Sequence, residues 1–113
     1  MKVYLAGRFG DRETLRELRG VLTRAGVKVT SQWLNSHHQA DDPTPEELGQ
    51  YAREDLDDLD DADVLVLWNP GHHHRSGRGG RHVETGYALA RGKRVILIGQ
   101  RENVFHHLPQ VEV

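Results

Sequence analysis

Residues 63 to 68 read DVLVLW, with five apolar side chains in succession and no alternation. A strand with one wet face alternates, so an unbroken run means that both faces are covered. The flanking segments carry helical periodicity instead. Leu15, Leu18, Val21 and Leu22 recur at helical spacing between Asp11, a candidate cap, and Gly26, a natural stop. Thr44-Pro45-Glu46-Glu47 opens a second helix, with threonine as cap, proline in the first position and Glu47 completing a capping box. A third helix follows Gly79-Gly80 and leads into the strand Arg94 to Ile98. Lys2 to Ala6 and Val27 to Thr30 supply two further short strands, and the tail adds a helical turn and a weak last strand. This β-α-β-α-β-α-β order predicts an α/β fold, a four- to five-stranded parallel sheet covered on both sides.

Composition narrows the class. The 113 residues suit a single domain spanning 1–113, with no internal repeat or linker. Only 36% are hydrophobic, so the core must be economical, and subunit contacts are expected to bury what the monomer cannot. A net charge of -2 gives no bulk reason to bind nucleic acid or an anionic membrane. No run approaches the ~18 apolar residues that cross a bilayer, and MKVYLAG reads as a core strand rather than a signal peptide. The absence of cysteine excludes disulfides and thiolate chemistry. A cytoplasmic location is the expectation.

Ligands of such sheets bind beyond the carboxyl ends of the strands, which selects the loops 7–10, 31–43 and 69–83. Residues 53 to 63, REDLDDLDDAD, hold seven carboxylates. On a helix, Leu48, Ala52, Leu56, Leu59 and Ala62 form one apolar stripe with Asp55 in its middle. Asp57, Asp60 and Asp61 point away, and Glu54 and Asp58 flank it. A carboxylate in an apolar stripe must be hydrogen-bonded, neutralised or turned to a polar cavity. Asp55 is therefore either a buried aspartate bonding backbone amides or a site residue facing a ligand. Asp63 reads as the residue leading into the strand. Glu84 falls in the first turn of the third helix, where the dipole favours any carboxylate. Gly77, Gly79 and Gly80 just before it would let backbone approach a ligand and hold an anionic group. Tyr4 points away from the face of Val3 and Leu5, its hydroxyl tied either to backbone or to a carboxylate beyond the strand.

Other patterns carry less. Neither glycine cluster matches a dinucleotide or Walker signature, and no cofactor is expected. His72, His73 and His74 are consecutive and cannot easily face one ion, so no metal site is assigned. RSGRGGR echoes an arginine-glycine RNA segment but is one short stretch in an acidic chain; Arg75, Arg78 and Arg81 better suit a phosphate or the surface.

Three motifs in order resemble the nucleoside 2-deoxyribosyltransferase-like family, which includes the deoxynucleoside 5′-monophosphate N-glycosidases. They are YLAG with its arginine-bearing glycine turn, DLDDLDDADVLVL with aspartates eight residues apart at Asp55 and Asp63, and GGRHVETGYALARGKRVIL. The resemblance runs from Tyr4 to about Gly99. It implies a flavodoxin-like (Rossmann-like) three-layer sandwich, a homodimer or larger assembly, and cleavage of an N-glycosidic bond. A glutamate attacks C1′, an aspartate protonates the departing base, a tyrosine orients the glutamate, and water or a nucleobase resolves the intermediate. Those roles fall on Glu84, Asp55 and Tyr4. The helix terminus should keep Glu84 ionised while the apolar stripe raises the proton affinity of Asp55. Substrate contacts are expected from Gly7, Arg8, Ser76, Gly79, Gly80 and Arg81, from Trp33 stacking over the base, and from Asn103, which resembles an asparagine that reaches a neighbouring subunit's sugar site. The loop 71–78 is longer than usual for the family, so the donor's 5′ group stays open; its arginines, with Arg8, would suit a phosphate. The partner implied is a small nucleoside or nucleotide, with no nucleic acid polymer and no membrane.

Three other readings compete. A non-catalytic nucleotide sensor would need the loop and Trp33 but not an acid and a nucleophile together. RGGRHVE loosely echoes the PGGxGTxxE loop of cytokinin-activating phosphoribohydrolases but lacks its proline and threonine. A receiver-like signalling domain would want an acidic acceptor where this chain has Asn69-Pro70.

Overall fold

The computed structural model describes residues 1–35, 42–71 and 79–113. Strands β1 (Lys2–Ala6), β2 (Lys28–Val29), β3 (Val64–Asn69), β4 (Arg94–Gly99) and β5 (Val111–Glu112) form one parallel sheet in the order β2-β1-β3-β4-β5. Helices α1 (Arg12–Arg24), α2 (Pro45–Asp61) and α3 (Gly80–Ala90) join them. Right-handed crossovers put α1 on one face, because β1 to β2 runs the opposite way along the sheet from the later steps. They put α2 and α3 together on the other, where they touch one another and both touch β1. This is the expected three-layer α/β arrangement. The point where strand order reverses lies between β1 and β3, where open parallel sheets hold ligands.

Register and alternation divide the core. Tyr4, Leu65 and Val95 stand level across three strands and are fully buried on the α2–α3 face, with Ala6, Leu67 and Leu97 one repeat further along. Val3, Leu5, Val64 and Val66 fill the other face. DVLVLW is thus covered on both sides at its centre, as its unbroken apolar pattern requires. Coverage of the apolar strand residues thins toward the end of β4, where Ile98 is 39% exposed.

Helix α2 begins with the capping box read from the sequence. Thr44 Oγ1 accepts from the Glu47 amide at 3.1 Å, and Glu47 Oε1 accepts from the Thr44 amide at 2.9 Å. Such a cap contributes ~1 kcal/mol. The stripe on α2 differs from expectation. Leu48 is 52% exposed and Ala52 is also exposed, so the helix docks only through its C-terminal half. Asp58, expected on the flank, is 6% exposed. Its Oδ2 accepts from the Gln32 amide at 2.9 Å and its Oδ1 from Gln32 Nε2 at 2.7 Å. The buried aspartate that bonds a backbone amide is therefore Asp58, one turn beyond Asp55.

The polar loop expected from residue 31 onward begins instead with a 3₁₀ turn, Gln32–Leu34. Trp33 and Leu34 are both buried in it, and the Trp33 indole N–H donates to the Leu5 carbonyl at 2.8 Å. The second strand is only two residues long, and the tail forms a 3₁₀ turn, Val104–His107, before β5.

Candidate active site

Tyr4 rises from β1 between α2 and α3, and its hydroxyl donates to Glu84 Oε2. Glu84 is not in the first turn of α3. Gly79 caps the helix in a left-handed conformation (φ 87°), Gly80 and Arg81 follow, and Glu84 opens the second turn. The dipole acts over the first turn, so burial dominates instead. It pushes the Glu84 carboxyl up to about 8, against the stabilising Tyr4 hydrogen bond and with help from the Asp55 charge. The expectation that the helix terminus keeps Glu84 ionised is corrected on this point.

Asp55 faces the same space from α2. Burial, then the charges of Asp58 and Glu54, push its carboxyl up to about 7. Its Oδ1 is buried and has no hydrogen-bond partner among the described residues. Tyr4 is held protonated, its affinity raised by burial and by both carboxylates. Two carboxyls and a phenol thus meet on one side of the sheet. Because the carboxyls interact, they titrate as a pair, and between about pH 7 and 8 the shared proton rests more on Glu84 than on Asp55, the reverse of the order expected from the sequence. One ionised and one protonated carboxyl is the state that a retaining glycosidic mechanism uses.

A second cluster stands at the carboxyl ends of β1, β3 and β4. Arg8 is 8% exposed and Arg81 6%. Arg8 Nη1 donates to Asn69 Oδ1 at 3.2 Å, and its Nη2 lies 3.7 Å from Glu102. Arg81 Nη2 donates to both Glu102 oxygens, each at 3.1 Å. His82 Nε2 lies 3.6 Å from the same carboxylate. The Glu102 amide donates to His106 Nδ1 at 2.8 Å, and His106 is 1% exposed. Asn69 Nδ2 donates to the Gln100 carbonyl at 2.6 Å. Gly99 makes that approach possible. Its φ is 117°, and a Cβ there would stand 1.9 Å from the Asn69 backbone carbonyl oxygen.

Sequence reasoning missed Glu102, His82, His106 and Asn69. Nothing in the pattern paired residues 81 and 102.

The remaining expected contacts divide. Gly79 and Gly80 open α3 with free space where a side chain would be. Gly7 is small for packing: a Cβ would meet Leu15 Cδ1 at 2.9 Å and Trp68 Cβ at 3.5 Å. Asn103 serves its own chain, its Oδ1 capping the 104–107 turn through the Phe105 amide at 2.9 Å and its Nδ2 lying 3.4 Å from His82 Nδ1. Trp33 is a core residue anchored to β1, a placement that does not suit a lid over a base. Phe9, 49% exposed and 6.5 Å from the Trp33 ring, is the accessible aromatic on that side. Ser76, Arg75, Gly77, Arg78 and the histidines 72 to 74 lie outside the described residues. Among the described residues no cluster of three or more His, Asp or Glu could hold a metal ion, and no helix is long and apolar enough to cross a membrane.

Residues 3–110 match the nucleoside 2-deoxyribosyltransferase family. The chain belongs to that family. No curated protein sequence matches it closely enough to serve as a relative. Among solved structures, this family member resembles a 2-deoxyribosyltransferase of Bacillus psychrosaccharolyticus. The TM-score is 0.75 and the identity 23%, with 93% of this chain and 79% of that one covered. It also resembles the CMP N-glycosidase BcmB of Clostridium botulinum, with a TM-score of 0.64 and 20% identity over 99% of this chain and 86% of that one. At these identities the likeness is one of fold, and both neighbours are enzymes by name.

Proposed function

We propose that this family member cleaves the N-glycosidic bond of a (deoxy)nucleoside or nucleoside 5′-monophosphate through a covalent glycosyl-glutamate. Glu84 attacks C1′ and the C1′–N bond breaks. Its electron pair stays on the base, which takes the proton of Asp55. Water or a second nucleobase then attacks C1′, giving its proton back to Asp55, and Glu84 leaves as carboxylate. Tyr4 fixes the attacking oxygen and favours its ionised form.

The observation that carries this reading is the Tyr4–Glu84 hydrogen bond with Asp55 facing it from the neighbouring helix. Family membership supports it, as do neighbours named as a 2-deoxyribosyltransferase and a CMP N-glycosidase. A soluble homo-oligomer, acting in the cytoplasm, is the assembly proposed on the strength of the economical core.

The test incubates purified protein with nucleosides and 5′-monophosphates and follows free base by chromatography. Release that Glu84→Ala and Asp55→Asn both abolish supports the reading, together with a sugar-mass adduct on the Glu84 peptide after rapid denaturation. Tight binding without release from any substrate would leave a nucleotide sensor in its place.

A further inference from the structure

Helix α2 carries two inward acids about one turn apart, and their surroundings differ. Asp58 is buried, and both of its oxygens are taken. Oδ2 accepts from the Gln32 amide and Oδ1 from Gln32 Nε2, while its backbone carbonyl accepts from Thr30 Oγ1 at 2.9 Å. A proton on either oxygen would face a donor N–H, so the arrangement fits the carboxylate. Every one of these donors is neutral. Among the described residues no lysine, arginine or histidine pairs with Asp58, in contrast to Glu102, which meets two guanidiniums. The Asp58 charge is therefore stabilised without being cancelled, and its field reaches its neighbours. Asp55, three residues earlier on the helix, lies within ~5–6 Å between Cβ atoms, and the charges of both acids act on Tyr4. Asp55 has the opposite setting, a buried oxygen with no partner among the described residues.

We infer that Gln32 and Asp58 form a positioning pair, a buried carboxylate kept charged by neutral donors, whose field holds the proton on Asp55 until the departing base takes it. This rests on the glycosidase reading above. The groups that face Asp55 are Asp58 and Glu54 from α2 itself, Tyr4 from β1 and Glu84 from α3. Tyr4 is protonated, and burial keeps Glu84 protonated to higher pH than Asp55, so neither is charged where Asp55 titrates. Of the two charges that remain, Asp58 acts on Asp55 more strongly than Glu54 does. The charge that raises Glu84 comes from Asp55 and not from Asp58. The pair thus acts on the acid and spares the nucleophile, drawing the shared proton toward the carboxyl that must give it up. Gln32 matters because it is uncharged. A cation in its place would keep the tie to Asp58 and cancel the field.

The test follows the Asp55 carboxyl by carbon-13 NMR across the neutral pH range in wild type, Asp58→Asn and Gln32→Lys. Both substitutions should lower its midpoint by at least about half a pH unit, the effect of one charge ~6 Å away even at the dielectric of water. A midpoint left unmoved, or raised, overturns the inference. Gln32 is exposed and its replacement keeps a donor on Asp58, so Gln32→Lys decides should Asp58→Asn not fold. Turnover supplies a second readout. A nucleobase needs a proton as it leaves, whereas a 4-nitrophenyl glycoside of the same sugar releases a stable phenolate and needs none. In mildly alkaline buffer, kcat/KM for the nucleoside should fall at least about threefold in either variant, with the nitrophenyl donor spared. A purely structural tie would slow both donors alike, and that result overturns the inference. If no donor is cleaved, the glycosidase reading fails, and the titration alone decides whether the pair holds the proton on Asp55.

Discussion

Replacing Tyr4 by phenylalanine removes one oxygen from a buried, fully packed position and changes little else. In the native protein that hydroxyl donates to Glu84 and lowers its proton affinity against the opposing effect of burial. A hydrogen bond to a charged group is worth ~1.5–3 kcal/mol, and one pKa unit corresponds to ~1.4 kcal/mol. The Glu84 carboxyl, already near 8, should therefore rise by about one to two units in Tyr4→Phe. At pH 7 its ionised fraction, and with it kcat/KM, should fall roughly ten- to a hundred-fold. The sign is definite, because the bond favours the charged form and its loss favours the neutral one. The rise in kcat/KM with pH that tracks Glu84 ionisation should move to higher pH, with activity partly recovered there. Base release measured from pH 5 to 10 for both proteins decides the matter. An unmoved profile, or one displaced to lower pH, would refute the assignment of Tyr4 as the group that tunes the nucleophile.

Both site carboxyls are raised above their unfolded values, so their neutral forms favour the fold and that contribution is lost as pH climbs through about 7 and 8. Glu84→Gln should therefore raise the melting temperature at pH 8, by an amount on the order of 1–3 kcal/mol of stability, and leave it nearly unchanged at pH 4. Asp58→Asn should cost ~1–3 kcal/mol in denaturant titration, because the Gln32 amide loses its carboxylate acceptor. It should also let the Asp55 proton go at lower pH, visible as a rate optimum displaced to lower pH, since the Asp58 charge helps hold that proton. Trp33→Phe should lose the bond to the Leu5 carbonyl and cost ~1–2 kcal/mol. The relative rates for different bases should stay the same, whereas a lid role for Trp33 would change them.

Much of the architecture could be read from the chain because its signals are local. The apolar run 64–68 predicts a doubly covered strand, and the Thr44–Glu47 box fixes where α2 starts. Asp55 could be singled out because it sits oddly within its own element, whereas Tyr4 and Glu84 stayed open on pattern and were named through the family resemblance; the fold brings all three to one face. What stayed hidden depends on tertiary depth. Periodicity ranks Asp55 as the most buried acid on α2, yet Asp58 lies deeper because the 32–34 turn folds over it. The same turn draws Trp33 inward. The Glu102 cluster is assembled from four separate segments and has no signature along the chain.

The Tyr4–Glu84 contact joins residues 80 positions apart. Tyr4 lies on a strand that must be flanked by β2 and β3, and Glu84 on a helix that packs against β1, β3 and β4. Nothing short of nearly the whole sheet can bring the two together. Parallel strands are slow to pair because distant segments must meet first. The growing polypeptide therefore emerges with the Tyr4 phenol made well before the Glu84 carboxyl. Partially folded chains can bury apolar surface and still have no chemistry, and the ability to break a glycosidic bond arrives as one of the last properties of folding.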